Sequence, residues 1–130
     1  MNRISAVAAG SLVALGVAVV TPPRTWAQPA AAPSEAAKKD AQEIYVGRCT
    51  PCHGAKGAGD GAASKGLTPP PRNFSDAAWQ KSVTDEYIDK IIKYGGAAVG
   101  KSPAMPGNPD LNAKPQVVTA LREIVRGFGK

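Results

Sequence analysis

Both cysteines and the single histidine of this 130-residue chain fall within five consecutive residues, Cys49-Thr50-Pro51-Cys52-His53. Cys-x-x-Cys-His is the attachment pattern for c-type haem. Two thiols three residues apart, on about one helical turn, reach the two vinyl groups on one edge of a porphyrin and form thioethers. The next residue then brings its imidazole under the iron, so Cys49 and Cys52 are the covalent attachment points and His53 an axial ligand. Three other chemistries use the same residue types. Thioredoxin-like dithiol exchange expects a surrounding βαβ pattern, which is missing. A structural zinc site wants four Cys or His ligands where the chain has three. A plain disulfide would suit an exported protein but leaves His53 and the glycine-rich stretch after it unexplained.

A second axial ligand follows by elimination. No other histidine exists, and Met1 is the initiator, which leaves Met105 as the internal thioether. It lies in Lys101-Ser102-Pro103-Ala104-Met105-Pro106-Gly107, where prolines and a glycine favour a stiff, extended loop able to hold one side chain against the iron. The competing reading is a methionine filling a core gap, with water or Lys101 at the iron. Histidine with methionine raises the reduction potential of a haem.

These residues need elements to position them. Good helix formers from Ser34 to Arg48, with Ala41, Ile44 and Tyr45 at helical spacing, predict a helix leading into Cys49. Gly54 to Pro71 is dominated by glycine and proline, ending in Pro69-Pro70-Pro71, so no regular element of ordinary length fits there. Such a loop inside a small domain is usually functional, and wrapping a prosthetic group would order it. Thr84 to Tyr94 predicts a second helix with Thr84 as N-cap, Val83 stapled to Ile88, an apolar stripe of Tyr87, Ile88, Ile91 and Ile92, and Gly95 as its end. Pro115 to Phe128 predicts a third, with proline at its first position and Val118, Leu121, Ile124, Val125 and Phe128 repeating at three or four. No period-two strand appears, so the expected fold class is all-α with long loops.

Met1 and Arg3 precede an apolar run from Ile4 to Val20, then Thr21-Pro22-Pro23-Arg24 and the small-residue exit Thr25-Trp26-Ala27. That order predicts a cleaved signal peptide over 1–27, with a short membrane anchor as the alternative. Residues 28–34, rich in proline and alanine, then read as a flexible tether, and 35–130 as the folded domain. Loss of Arg3 and Arg24 would lower the formal charge from +6 to +4. Mild basicity with both signs scattered suits acidic protein surfaces, whereas nucleic-acid binding would call for a dense basic stripe with interleaved aromatics. With about 90 residues to fold and seven aromatic residues, a large apolar cofactor would supply much of the missing core.

The order of these features resembles the class I cytochrome c family, in its small bacterial single-haem form. The resemblance covers about Ser34 to Phe128: a helix with an aromatic residue four before the first cysteine, the Cys-x-x-Cys-His motif, a proline-bearing loop, a middle helix, a methionine loop and a closing helix. The stretches Cys52-His53-Gly54-Ala55-Lys56-Gly57-Ala58-Gly59-Asp60-Gly61 and Leu67-Thr68-Pro69-Pro70-Pro71-Arg72-Asn73-Phe74 carry it further. It implies a cytochrome c-like fold of three or more helices and long loops wrapped around one covalent haem c with its iron. It implies that Ala41 and Tyr45 pack on the last helix near Leu121 and Val125. It also implies that a proline carbonyl, Pro69 or Pro70 among the three, accepts the proton on the far nitrogen of His53, and that Trp79 and Tyr94 are candidates for haem contact. The methionine loop is shorter than the family pattern, and the lysines near the motif are sparse: Lys56, Lys65, Lys93 and Lys101.

The expected function is electron transfer by a monomeric periplasmic carrier between redox partner proteins, with no bond chemistry of its own. The alternatives are a haem-bearing subunit of a larger dehydrogenase or oxidase and, further off, a ligand-binding or sensing haem protein. With the sole histidine assigned to iron, no catalytic constellation remains.

Overall fold

A computed structural model describes residues 32–130, so the expected leader and most of the expected tether lie outside the described residues. Five α-helices follow one another, and among the described residues there is no strand. The first, α1 (Glu35–Ile44), starts at Ser34, whose side chain accepts from the Ala37 amide at 3.2 Å. At the edge of the described residues Pro33 is buried and the Ser34 amide donates to Gln116 Oε1 at 3.3 Å.

The helix does not run on to Arg48 in one geometry. It widens into a π-helical turn, Tyr45–Cys49, before tightening again into α2 (Thr50–His53). Pro51 has no N–H to continue the α-helical ladder, and Thr50 compensates by turning both its amide and its hydroxyl to the Tyr45 carbonyl, the hydroxyl at 3.1 Å. Gly54 then ends α2 at φ 77.

From Gly54 to Pro71 the only regular structure is a 3-10 turn at Ala62–Ser64, as expected. Next comes α3 (Ala77–Ser82), a helix too short to show apolar periodicity in sequence. Asp76 caps it by accepting from the amides of Ala78 and Trp79 at 3.0 and 3.1 Å. In α4 (Asp85–Tyr94) Thr84 is the N-cap, Ile88 and Ile92 are buried, and Gly95 ends the helix at φ 80. Short 3-10 turns at Ala97–Val99 and Pro109–Ala113 lead to α5 (Pro115–Gly127), which buries Val117, Val118, Ala120, Leu121 and Val125.

The broadest helix–helix contact joins α1 to α5. Ala41, with no exposed surface, and Tyr45 share one apolar cluster with Leu121 and Val125, as the resemblance implied. Small alanines let the two backbones approach closely, and α4 closes the cluster through Ile88 and Ile92. A polar seam locks α4 and α5: Arg122 meets Asp89 at 2.7 Å, and Arg126 reaches Asp85 and the Gln80 and Val83 carbonyls at 2.6 to 2.8 Å. No helix among the described residues is long and apolar enough to cross a membrane.

Candidate functional site

The π-helical turn and α2 carry Cys49, Cys52 and His53 on one continuous helical path, with the two cysteines partly buried and His53 buried. The glycine-rich loop folds back over this path and satisfies its last carbonyls: Gly59 donates to His53 O at 2.8 Å and Gly61 to Cys52 O at 3.1 Å. Both approaches demand glycine. A Cβ on Gly59 (φ 79) would lie 2.5 Å from the Pro71 carbonyl oxygen, and one on Gly61 would overlap the Pro51 carbonyl. The Tyr45 hydroxyl pins the start of the same loop, donating to Gly54 O at 3.0 Å in a buried setting.

His53 is buried and its ring is held on two sides. One face stacks on Phe74, with ring centroids 4.5 Å apart and planes 16° from parallel. Its Nδ1 lies 3.3 Å from the Arg72 carbonyl oxygen. A carbonyl can only accept, so Nδ1 carries the hydrogen and Nε2 keeps its lone pair. Burial pulls the imidazole pKa down, against the opposing pull of the Arg72 carbonyl, which favours the neutral ring that a metal requires.

The resemblance implied a proline carbonyl, Pro69 or Pro70, at this nitrogen. Pro69 and Pro70 are both exposed, and the carbonyl at Nδ1 belongs to Arg72. The reason is the crossing of two loops. Gly59 runs against Pro71, and Phe74 donates its amide to Gly57 O at 2.7 Å, so the chain is drawn onto the histidine just after the proline run.

Both thiols are free and partly buried. Burial pushes the Cys49 thiol up to about 11, with Arg48 opposing and Cys52 adding to the shift. A dithiol exchanger works by a depressed thiol pKa, so this environment is the reverse of one built for exchange. Among the described residues, no three His, Cys, Asp or Glu side chains converge to hold a bare ion. Two free thiols on one helical path and a neighbouring imidazole with its Nδ1 against a carbonyl fit a flat macrocycle that is fastened at its edge and ligated at its centre.

Met105 is half-buried, in a turn rather than the extended loop expected: its amide donates to Ser102 O at 3.3 Å. That turn is tied to the end of α4 by backbone. Gly96 donates to Met105 O at 3.0 Å and Asn108 to Lys93 O at 2.8 Å. A Cβ on Gly95 would lie 2.7 Å from Met105 O, so Gly95 both ends α4 and seats the turn. Of the candidate aromatics, Trp79 is half-buried and stacks on Phe74 with centroids 5.6 Å apart, while Tyr94 is exposed. Lys56, Lys65 and Lys101 are exposed and Lys93 half-buried.

Sequence reasoning missed Phe74 and Arg72. An isolated phenylalanine carries no signal of what it stacks on, and a backbone carbonyl acts whatever its side chain.

Neither a curated protein nor a solved structure matches the chain. Residues 36–123 match the family described as cytochrome C oxidase, cbb3-type, subunit III. The span runs from α1 through most of α5 and includes the Cys-x-x-Cys-His motif, and a c-type cytochrome domain carries covalently bound haem with its iron and passes electrons to and from partner proteins. The chain belongs to this family of c-type cytochrome domains.

Proposed function

We infer that the protein is an exported, periplasmic, monomeric electron carrier with one haem, fastened through the thiols of Cys49 and Cys52 and ligated by His53 and Met105. The observation that carries the reading is the setting of His53: buried, stacked on Phe74 and with Nδ1 against the Arg72 carbonyl, an arrangement that leaves Nε2 as the nitrogen to bind a metal. When bound, haem iron supplies the one-electron chemistry by alternating between ferric and ferrous states. The Arg72 carbonyl fixes the ring's orientation and raises the basicity of Nε2. Phe74 and Tyr45 keep the attachment path apolar and exclude water from it. The soft sulfur of Met105 favours the ferrous state and hence a relatively high potential. Lys56, Lys65 and Lys101 are exposed and make no ion pair among the described residues, which supports docking on acidic partner surfaces.

The test is the absorption spectrum of protein matured with haem, and of Met105→Ala. The wild type is expected to keep its haem through acid-acetone extraction and to show low-spin bands with a weak sulfur-to-iron transition when ferric. Met105→Ala should lose that transition. A ferric spectrum that is the same in both proteins would overturn the ligand assignment.

The family's description as an oxidase subunit favours a second reading, in which the chain delivers electrons inside a larger oxidase or dehydrogenase complex. Gentle solubilisation and affinity capture separate the two: a catalytic subunit retained in fixed proportion supports the complex, and a haem protein recovered alone supports the free carrier.

A further inference from the structure

Arg48 directly precedes the first attachment cysteine, and its half-exposed guanidinium is paired rather than free. Its terminal nitrogen lies 3.1 Å from Asn108 Oδ1 and 2.9 and 3.1 Å from the two carboxylate oxygens of Asp110. Both acceptors lie just beyond the Met105 turn. Asn108 is itself anchored, its side-chain amide donating to Ile92 O at 2.8 Å and its backbone amide to Lys93 O at 2.8 Å. Among the described residues, no other hydrogen bond joins the attachment path, residues 45–53, to the segment 97–113. The other hydrogen bonds that tie the Met105 turn to the rest of the fold run to the end of α4, at Ile92, Lys93 and Gly96, and Leu111 anchors the following turn in the core.

We propose that Arg48, Asn108 and Asp110 form a clasp between the haem-attachment turn and the Met105 loop, with Arg48 the positioning residue that keeps the methionine side of the site closed. The proposal rests on Met105 as the second axial ligand. A thioether is a weak, exchangeable ligand, so an external base enters only from the fraction of molecules whose loop has swung away. A clasp that raises the cost of that opening lowers the apparent affinity of any external ligand by the same factor. Both ion-pair partners are about half exposed, at 47% each, so the contribution is modest and salt screens it.

Imidazole titration of the ferric haem protein, read in the visible spectrum, tests this. At low salt Arg48→Ala and Asp110→Ala are each expected to bind imidazole about fivefold more tightly than wild type. The double variant should bind no more tightly than either single one, because the same link is removed. Arg48→Lys should fall between, keeping the charge but with a shorter, differently shaped donor group. The gap to wild type should narrow at about 1 M salt. Thermal melts of the singles, altered at half-exposed positions, report whether the fold persists. Met105→Ala is titrated alongside. If it gains affinity while Arg48→Ala and Asp110→Ala do not, the clasp is overturned and the ligand assignment stands. If Met105→Ala binds imidazole no more tightly than wild type, the ligand assignment fails and the clasp with it. Additive effects in the double variant would also overturn the clasp.

Discussion

A single hydroxyl and a single missing Cβ govern how the glycine-rich loop meets the attachment turn. Burial, aided by Cys49 and Asp60, pushes the Tyr45 phenol up to about 12, so it is a permanent donor to the Gly54 carbonyl. Tyr45→Phe would remove one of two donors to that carbonyl, the Gly57 amide remaining at 3.1 Å, and is expected to cost about 1 kcal/mol in urea unfolding. Gly59 has left-handed backbone and faces the Pro71 carbonyl across a gap that no side chain fits. Gly59→Ala is expected to lose about 3 kcal/mol and to lower the thermal midpoint, since backbone strain and a clash with main chain combine. The tyrosine was legible in sequence as the aromatic residue four before Cys49. The need for glycine at 59 was not, because it arises from a segment twelve residues away.

Helix by helix, the spacing of apolar residues carried most of the information. Thr84, Gly95 and Pro115 mark their helix ends by local chemistry, and the structure has them as cap, terminator and first residue. Local chemistry also explains the departures: α1 widens where Pro51 cannot donate, and α3 depends on the Asp76 cap in a segment only six residues long. At the α1–α5 contact Ala41 has no exposed surface, and Ala41→Leu is expected to destabilise by about 1–3 kcal/mol in chemical denaturation through overpacking. The α4–α5 seam makes a prediction about pH. Burial raises the Asp89 pKa, with Arg122 and Lys93 opposing it, and its Oδ1 is buried with no hydrogen-bond partner among the described residues. A carboxyl whose folded pKa is raised binds its proton more readily in the folded state, so its contribution to stability grows as pH falls and is lost as pH rises through the folded pKa. The stability of the wild type relative to Asp89→Asn should therefore increase as pH is lowered through the carboxylate range, measured by thermal unfolding at a series of pH values. A constant difference would contradict the assignment.

For the molecule as a whole, the apolar core is small. Among the described residues twelve hydrophobic residues are buried, three of them alanines, and the largest side chains with almost no exposure are Ile88 and Leu111. A core of that size leaves a domain marginal, and a covalently held macrocycle would add apolar surface where the chain has least. Cys49→Ser with Cys52→Ser, which prevents covalent attachment, is expected to melt at least about 10 °C below the haem-bearing protein, with reduced helical circular dichroism. An unchanged melt would mean that the chain builds its fold without the cofactor.

The motif that fits haem attachment was legible because attachment chemistry is local: two thiols and an imidazole must sit within one or two helical turns, so their order in the chain is their arrangement in space. The same holds for the helices, whose apolar faces repeat along the chain. The carbonyl that fixes His53 and the side chains that close the far side of the site belong to residues 19 to 62 positions away. No spacing rule connects Arg72 to His53 or Arg48 to Asp110. Those partners were decided only by the tertiary structure, where glycines 57, 59 and 61 let one loop cross another and where the end of α4 brings the Met105 turn back to the helix that begins the domain.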